Sequence, residues 1–485
     1  MTGTIQSRVR HPGWTFAITS IAVFMTSLDN LVVTTALPTI RAHLHASLGG
    51  LEWTVNAYTL TFAALLLSGA TLGDRFGRRR LFVLGLALFT LGSAGSALSQ
   101  GVAELIAARA VQGVGAAIVT PLTLTLLAAA VPRERRAVAL GAWGAIGGLA
   151  VAVGPLVGGA IVEGVSWQWI FWVNVPIGLL LIPLAYSRLT ESRGPAKSLD
   201  LGGLVLASGG LFGVVYALVR SSSQGWGSAE VSGVLAAGVA LLVAFALYER
   251  RVAEPMLPLR LFRSRGFSAA NLASMFMAFG MFGSIFLLAQ FLQIVQGYSP
   301  LAAGIRTLPW TAMPMLVAPL GGIVTQRFGG RPVLATGLAL QAVGLAWMAT
   351  VTTPAVGYAV LVPAFVISGV GMALFFAPMA NTVLGTVAGA EEGIASGVNN
   401  AIRELGGVLG IAVLASVFSA HGSYRSGHAF VSGLVPAVYV GAVVVAVSVV
   451  AALAIPRRRQ ALRGREAEGA PAEEVLGMPA LGSVA

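Results

Sequence analysis

The sequence contains no cysteine, so disulfides, thiolate metal sites and a cysteine nucleophile are excluded. Charge is scarce as well: Asp, Glu, Lys and Arg make up 10% of the 485 residues, against about 25% in a soluble globular domain. With 56% hydrophobic residues and a mean hydropathy of +0.84, the chain cannot surround a soluble core with a charged surface. Histidine is rare too. The five present, His11, His43, His45, His421 and His428, are scattered without matched acids, which argues against a metal centre and against a polytopic membrane enzyme built on imidazole chemistry. Among the 30 basic residues only Lys197 is lysine, and with the abundance of Ala and Gly this suggests a high-G+C bacterial genome.

What the chain has instead is a series of long apolar runs. About 20 mostly apolar residues at 1.5 Å each cover a hydrocarbon core of about 30 Å. Runs of this length, bounded by charge, Pro or Gly clusters, predict spans near 14–37, 53–72, 81–99, 102–130, 137–161, 168–187, 199–219, 231–248, 267–291, 301–324, 333–350, 356–384, 394–420 and 433–455. The expected fold class is an all-α polytopic membrane protein with fourteen transmembrane helices. The segment before the first span is short and that span is too long for a signal-peptide core, so it is expected to be retained.

The basic residues set an orientation rather than a nucleic-acid surface. With the N-terminus inside, the inner segments collect Arg75, Arg78, Arg79 and Arg80, then Arg133, Arg135 and Arg136, then Arg260, Arg263 and Arg265, then Arg457, Arg458 and Arg459. The outer segments hold only Arg41, Arg220, Arg306 and Arg425. The bias predicts a multi-pass protein of the bacterial inner (plasma) membrane with both termini cytoplasmic.

The chain also repeats itself. GATLGDRFGRRRLFVLGLAL, Gly69 to Leu88, aligns without gaps to GGIVTQRFGGRPVLATGLAL, Gly321 to Leu340, with nine of twenty positions identical. Gly113, Val114, Gly115 and Ala117 match Gly369, Val370, Gly371 and Ala373, and Gly141, Ala145, Ile146, Leu149 and Gly154 match Gly397, Ala401, Ile402, Leu405 and Gly410. Duplicated halves are a common plan for secondary transporters, with the substrate site at the midplane between them. The predicted organisation is an N-terminal six-helix bundle (14–187), two inserted central helices with linkers (188–265), a C-terminal six-helix bundle (266–456) and a disordered cytoplasmic tail (457–485). The halves differ in charge: Arg109 stands against Phe365, Gly147 and Gly148 against Arg403 and Glu404, and Asp74 against Gln326.

Asp29 is the only charge in the first span. A carboxylate at mid-membrane costs about 2.5 to 3.5 kcal/mol on insertion scales, so it calls for a cavity and a partner. Arg109 is the other deep charge of the first half and the expected partner. Burial disfavours a charged carboxyl while a guanidinium favours it, so a pairing that changes between states makes a proton switch. Glu404 is a second candidate. It follows Arg403 on the same helix, where adjacent residues point about 100° apart and do not form a simple pair. Asp74, in a loop rich in arginine, can cap a neighbouring helix and pair with Arg78, with Arg75, Arg79 and the start of span thirteen near Gly393 around it: a cytoplasmic latch. Gly154, Pro155, Gly158 and Gly159 permit a kink and close helix approach. On span nine, Asn271, Met275, Phe279, Phe282, Phe286 and Gln290 form one stripe, which suits adaptable contact with lipophilic ligands and equally suits lipid-facing packing. Asn30, Gln112, Asn399, Asn400 and Arg403 complete the candidate substrate cavity. Glu52 and Glu163 lie at external mouths and are expected to be hydrated there.

These motifs resemble the major facilitator superfamily, and within it the fourteen-span drug:proton antiporters of the EmrB/QacA type. The resemblance runs from about Phe16 to Ile455 and rests on SLDNLVVTTALP, TLGDRFGRRR, ARAVQGVGAA, VGPLVGG and WQWIFWVNVPIG in this order, with Ala70 where the loop motif usually begins with Gly. It implies that spans one and four border a central cavity, that VGPLVGG favours antiport, and that the protein is a monomeric exporter of lipophilic drugs or antibiotics. Protons are then the coupling ion, with no cofactor. A dedicated self-resistance exporter of one natural product fits the same residues. A peptide symporter of fourteen spans would carry ExxER where this chain has SLDN.

Overall fold

The structure, a computed structural model, describes residues 12–194, 200–387 and 391–456, so the expectation for 457–485 lies outside the described residues. Among these residues the α-helices are α1 (Pro12–Leu44), α2 (Leu48–Phe76), α3 (Arg78–Leu98), α4 (Val102–Ala130), α5 (Arg133–Gly164), α6 (Trp169–Trp172), α7 (Asn174–Arg188), α8 (Leu201–Gln224), α9 (Ala229–Glu249), α10 (Arg265–Gln290), α11 (Pro300–Thr311), α12 (Met313–Phe328), α13 (Gly330–Val351), α14 (Tyr358–Leu384), α15 (Glu392–His421) and α16 (Gly427–Ala454). Thirteen helices are long and apolar enough to cross a membrane. The bent run of Pro300–Val317 and Leu320–Phe328, inclined by 55°, makes a fourteenth when taken as one span. Pro309 falls inside α11, where it removes a backbone donor and crowds the carbonyl four residues back, and Pro314 stands in the first turn of α12. Pro176 stands likewise just after the α6/α7 break in the sixth span.

Local chemistry marks where helices start and stop. Ser47, Ser264, Ser299 and Ser426 each accept from a backbone N–H in the first turn of α2, α10, α11 and α16, and Asp200 does so for α8. Gly77 and Gly329, the equivalent glycines of the two RFG elements, close α2 and α12 at φ +110° and +88°, a region closed to most side chains. The repeat is thus written in backbone conformation as well as in sequence.

The packing repeats too. The close pairs α2/α4, α3/α4, α1/α5 and α3/α7 of the first half recur as α12/α14, α13/α14, α10/α15 and α13/α16 in the second. Glycines allow the close approach at matching places: a Cβ on Gly92 would overlap the Gln112 backbone, and one on Gly344 would overlap that of Ser368. The inserted pair sits to one side. α8 packs on both α2 and α15, with Val215 and Val219 against Leu60, Val408 and Ala412 and the Ser221 and Ser416 hydroxyls 2.9 Å apart, while α9 packs on α8.

The two halves meet unevenly. We call the membrane face where α1 starts and α16 ends the terminal face, and the opposite one the far face. In the far half of the bundle, α5 lies against α11: Leu301 donates its N–H to Glu163 Oε2 at 3.0 Å, and Thr311 its hydroxyl to the Ala152 carbonyl at 3.1 Å. Gln293 reaches the Thr35 carbonyl at 2.8 Å. Toward the terminal face, a Cβ added at Gly141, Gly144 or Gly148 of α5 would meet nothing within 4 Å, and Val138 is 75% exposed. The bundle is closed at the far face and open along α5 at the terminal face.

Candidate functional site

Asp29 and Arg109 form an ion pair in the first half, both almost fully buried. Their surroundings form a closed network. Gln112 Nε2 and Asn174 Nδ2 donate to Asp29 Oδ1 at 2.7 and 3.0 Å, and Arg109 Nη1 donates to Gln112 Oε1 at 2.8 Å. Ser93 accepts from Asn174 at 3.1 Å and from Gln112 at 3.3 Å, and passes its own hydrogen to the Phe171 carbonyl at 2.9 Å. Arg109 Nε donates to the Thr54 carbonyl at 3.2 Å, and its guanidinium stacks 4.3 Å from the Tyr58 ring centre. Charge-assisted bonds of this kind are about twice as strong as neutral ones, and here they compensate a charge that would otherwise be prohibitive in the membrane. Arg109 Nη2 alone among these polar atoms has no partner.

The sequence reading found Asp29 and Arg109 but missed Asn174, Ser93, Thr54 and Tyr58. It placed Gln112 on the cavity wall, whereas Gln112 is fully buried and serves the ion pair. A usable signal for Asn174 was present, since it is the one amide inside the apolar membrane helix Trp169–Arg188. Asn30 is half-buried beside Asp29.

In the second half, Arg403 Nη2 lies 3.0 Å from Glu404 Oε1. This corrects the expectation that neighbours on one helix do not pair. The long arm of Arg403 spans the angular separation of the two positions. Glu404 is buried and its Oε2 has no partner, while the Arg403 side chain is 28% exposed. Arg403, Asn399, Asn400 and Ser396 of α15 line a cleft of about 150 Å³ with Phe375, Phe376, Met379 and Val383 of α14. Asn399 also bonds Ser274 at 2.9 Å and Asn271 at 3.2 Å on α10.

The stripe on α10 borders α15. A Cβ on Gly406 or Gly410 would overlap the carbonyls of Met275 and Phe279, and one on Gly407 would come within 2.9 Å of the Phe282 ring. The backbone of Met275 and Phe279 and the ring of Phe282 thus lie against a glycine face of α15, while the side chains of all three are half-buried. Phe286 and Gln290 are fully buried, and Gln290 accepts the Tyr424 hydroxyl.

At the terminal face, Asp74 pairs with Arg78 at 2.8 Å, and Arg75 lies against Phe76. Asp74 does not reach the start of α15: a Cβ added at Gly393 would meet nothing within 4 Å, and Glu391 pairs with Arg260 instead. The helix cap expected of Asp74 is supplied by Glu191, which accepts the Arg79 and Arg80 backbone N–H groups at 3.0 and 3.3 Å at the positive end of α3. Arg79 also donates to the Tyr186 carbonyl at 3.2 Å.

Gly154 and Gly158 face Leu31 and Val32 of α1, where a Cβ would approach to 2.8 Å. Gly159 faces the Pro300 carbonyl, and Gly304 of α11 faces that of Pro155. The motif is thus a close three-helix seam on the far side of the bundle. Glu163 holds the start of α11 there, as noted above. Glu52 departs furthest from expectation: it is fully buried, and neither carboxyl oxygen has a hydrogen-bond partner.

Comparison with known proteins gives the same architecture. The family model of the Major Facilitator Superfamily matches twice, over residues 19–306 and 272–483. The chain is 36% identical over 414 residues to the tetracenomycin C resistance and export protein of Streptomyces glaucescens, covering 85% of this chain and 77% of that one. It is 35% identical over 408 residues to the multidrug resistance protein Stp of Mycobacterium tuberculosis, covering 84% of this chain and 76% of that one. Among solved structures, a POT family transporter in complex with 5-aminolevulinic acid shares the fold at a TM-score of 0.66 and 16% identity, over 91% of this chain and 95% of that one. Repeated halves, a charged pair buried in the first and a cleft in the second thus agree with sequence kinship: the chain belongs to the Major Facilitator Superfamily.

Proposed function

We propose that the protein exports lipophilic small molecules across a bacterial plasma membrane in exchange for protons. The observation that carries this reading is the Asp29–Arg109 pair, held in the first half by a network of three neighbouring polar side chains, Gln112, Asn174 and Ser93, with the cleft beside Arg403 and Glu404 in the second half. Relatives named for export and for multidrug resistance support the same reading. The basic inner segments support a cytoplasmic terminal face, which makes this the inward-open state.

In that state Asp29 is ionised and holds Arg109. Opening to the outside lets a proton bind Asp29, which removes the counter-charge of Arg109 and disrupts the network that pins α1, α3, α4 and α7 together. Return to the inward state releases the proton to the cytoplasm and remakes the pair. A proton moving inward down the membrane potential yields about 2.3 kcal/mol per 100 mV, plus the pH gradient. The cleft beside Arg403 and Glu404, with Phe375, Phe376 and Met379, takes the substrate, and Asp74, Arg78 and Glu191 stiffen the cytoplasmic loop of the first half. The rocking bodies are residues 14–187 and 266–456, with 188–265 as the inserted pair.

Drug accumulation in cells carrying the gene, with and without an uncoupler, tests the reading. Expression lowers accumulation and the uncoupler restores it. Equal accumulation in expressing and empty cells across a broad panel would count against export.

A further inference from the structure

Glu52 is a buried acid for which the mechanism above has no use. It sits in the second turn of α2, fully buried, forming no ion pair and no hydrogen bond among the described residues. An ionised carboxylate in such a place would be prohibitively costly, so Glu52 carries a proton in this state. Asn56, one turn further along, is also fully buried with neither amide atom satisfied. Buried polar groups ordinarily have partners. Four unpartnered atoms in line on one helix face therefore mark a polar file through an otherwise apolar wall.

Leu48, one turn before Glu52, lines a far-face cavity of about 420 Å³ together with Arg41, Tyr424 and Arg425. Beside the file, the Thr54 carbonyl, between Glu52 and Asn56 in sequence, accepts from Arg109, whose Nη2 is itself unpartnered. The ionisable groups of the elements packed on α2 are accounted for. From α1 come Asp29, Arg41 and the exposed His43, from α4 Arg109 and the exposed Glu104, from α15 Arg403, Glu404 and the exposed Glu392 and His421, and from α3 only the arginines at its terminal-face start, Arg78, Arg79 and Arg80. The turn after α15 brings Tyr424, whose hydroxyl burial holds well above its usual range. On the Trp53 side, α8 brings Tyr216 and Arg220, with Glu230 of α9 bonded to Tyr216. None of them forms an ion pair or hydrogen bond with Glu52.

We propose that Glu52 is a proton relay on the far side of the Asp29–Arg109 pair, loading from external solvent and passing its proton inward to Asp29. With the far face closed, as here, Arg41 stacked 3.4 Å from the Tyr424 ring centre covers this route. When the far face opens, the O–H of Glu52 gives its proton through water to an Asp29 oxygen, and the Glu52 carboxylate takes a replacement from outside. The inference rests on proton-coupled transport as proposed above.

The test is reconstituted protein in vesicles, comparing the unsubstituted chain, Glu52→Gln and Glu52→Asp. Two quantities are read: substrate-coupled proton flux as a function of external pH, and exchange of labelled for unlabelled drug without a gradient. An amide has the shape of a neutral acid but cannot pass a proton. Glu52→Gln is therefore expected to lose at least about tenfold in proton flux and its dependence on external pH, while exchange persists and Glu52→Asp restores part of the flux. Normal flux in Glu52→Gln would show a permanently neutral structural acid and overturn the relay. Parallel loss of flux and exchange would do the same. No proton movement in the unsubstituted protein would overturn the coupling, and the relay with it.

Discussion

Asp29 holds three donors from two helices besides its own, so its replacement separates charge from shape. Asn at this position still accepts from Gln112 and Asn174, but leaves Arg109 buried without a counter-charge. Breaking a buried pair from one side costs about 3 to 5 kcal/mol. We expect Asp29→Asn to abolish proton-driven drug flux and to lower the melting temperature while the protein still reaches the membrane. Vesicles with an imposed pH gradient, alongside a thermal melt, check both, and full coupled flux would move the switch to Glu404. Residues of this kind were legible because a charge in an apolar run stands out. Their neutral supports were not: Asn174, Ser93 and Thr54 are ordinary in a sequence, and only the fold brings them to one carboxylate. Glu52 was misread for the opposite reason. Its place at the start of a span suggests contact with water, and nothing in the sequence shows that α2 begins beneath the Tyr424 turn.

Helices and their seams were legible in part. The RFG glycines announced the repeat, and both adopt the positive φ that explains them. The apolar stripe of α10 could be seen, but its facing partner is a row of glycines on α15, and two complementary faces on distant segments carry no mutual signal in one sequence. The seam of α5 with α11 yields a test. At Gly159 any side chain would collide with the Pro300 carbonyl, and the halves touch there only because the far face is closed. Overpacking of this sort costs about 1 to 3 kcal/mol, and a coupling of that size is about 5- to 150-fold in population. Gly159→Val is therefore expected to shift the protein toward the outward-open state. The chain has no cysteine, so a single Cys introduced at Ser419 in the far-face cavity reports the shift by faster labelling with a membrane-impermeant thiol reagent. Unchanged labelling would mean that the seam does not close the far face.

At the scale of the whole molecule, the balance of buried charge limits what the cleft accepts. Its accessible charge is the Arg403 guanidinium, and the one acid beside it, Glu404, is already paired. A second cationic centre on a substrate would be desolvated without a counter-charge, at a cost of several kcal/mol. We expect neutral, zwitterionic or singly charged lipophilic compounds to be exported in preference to rigid dications. Resistance profiles with a monocationic dye and a bis-quaternary analogue of similar apolar area check this, and stronger protection against the dication would contradict it. The placement of α8 has a last consequence. It covers the α2/α15 seam on one flank, with α9 beyond it, while the α5 flank is bare toward the terminal face. The two sides of the bundle are therefore unequal toward the surrounding lipid: one is walled, and the other is a window onto a single leaflet. We expect a compound dissolved among the acyl chains to enter sideways through that window without first returning to water. Apparent affinity across a homologous series should then follow membrane partition coefficients rather than aqueous concentration, which transport assays at varied lipid-to-protein ratio measure directly.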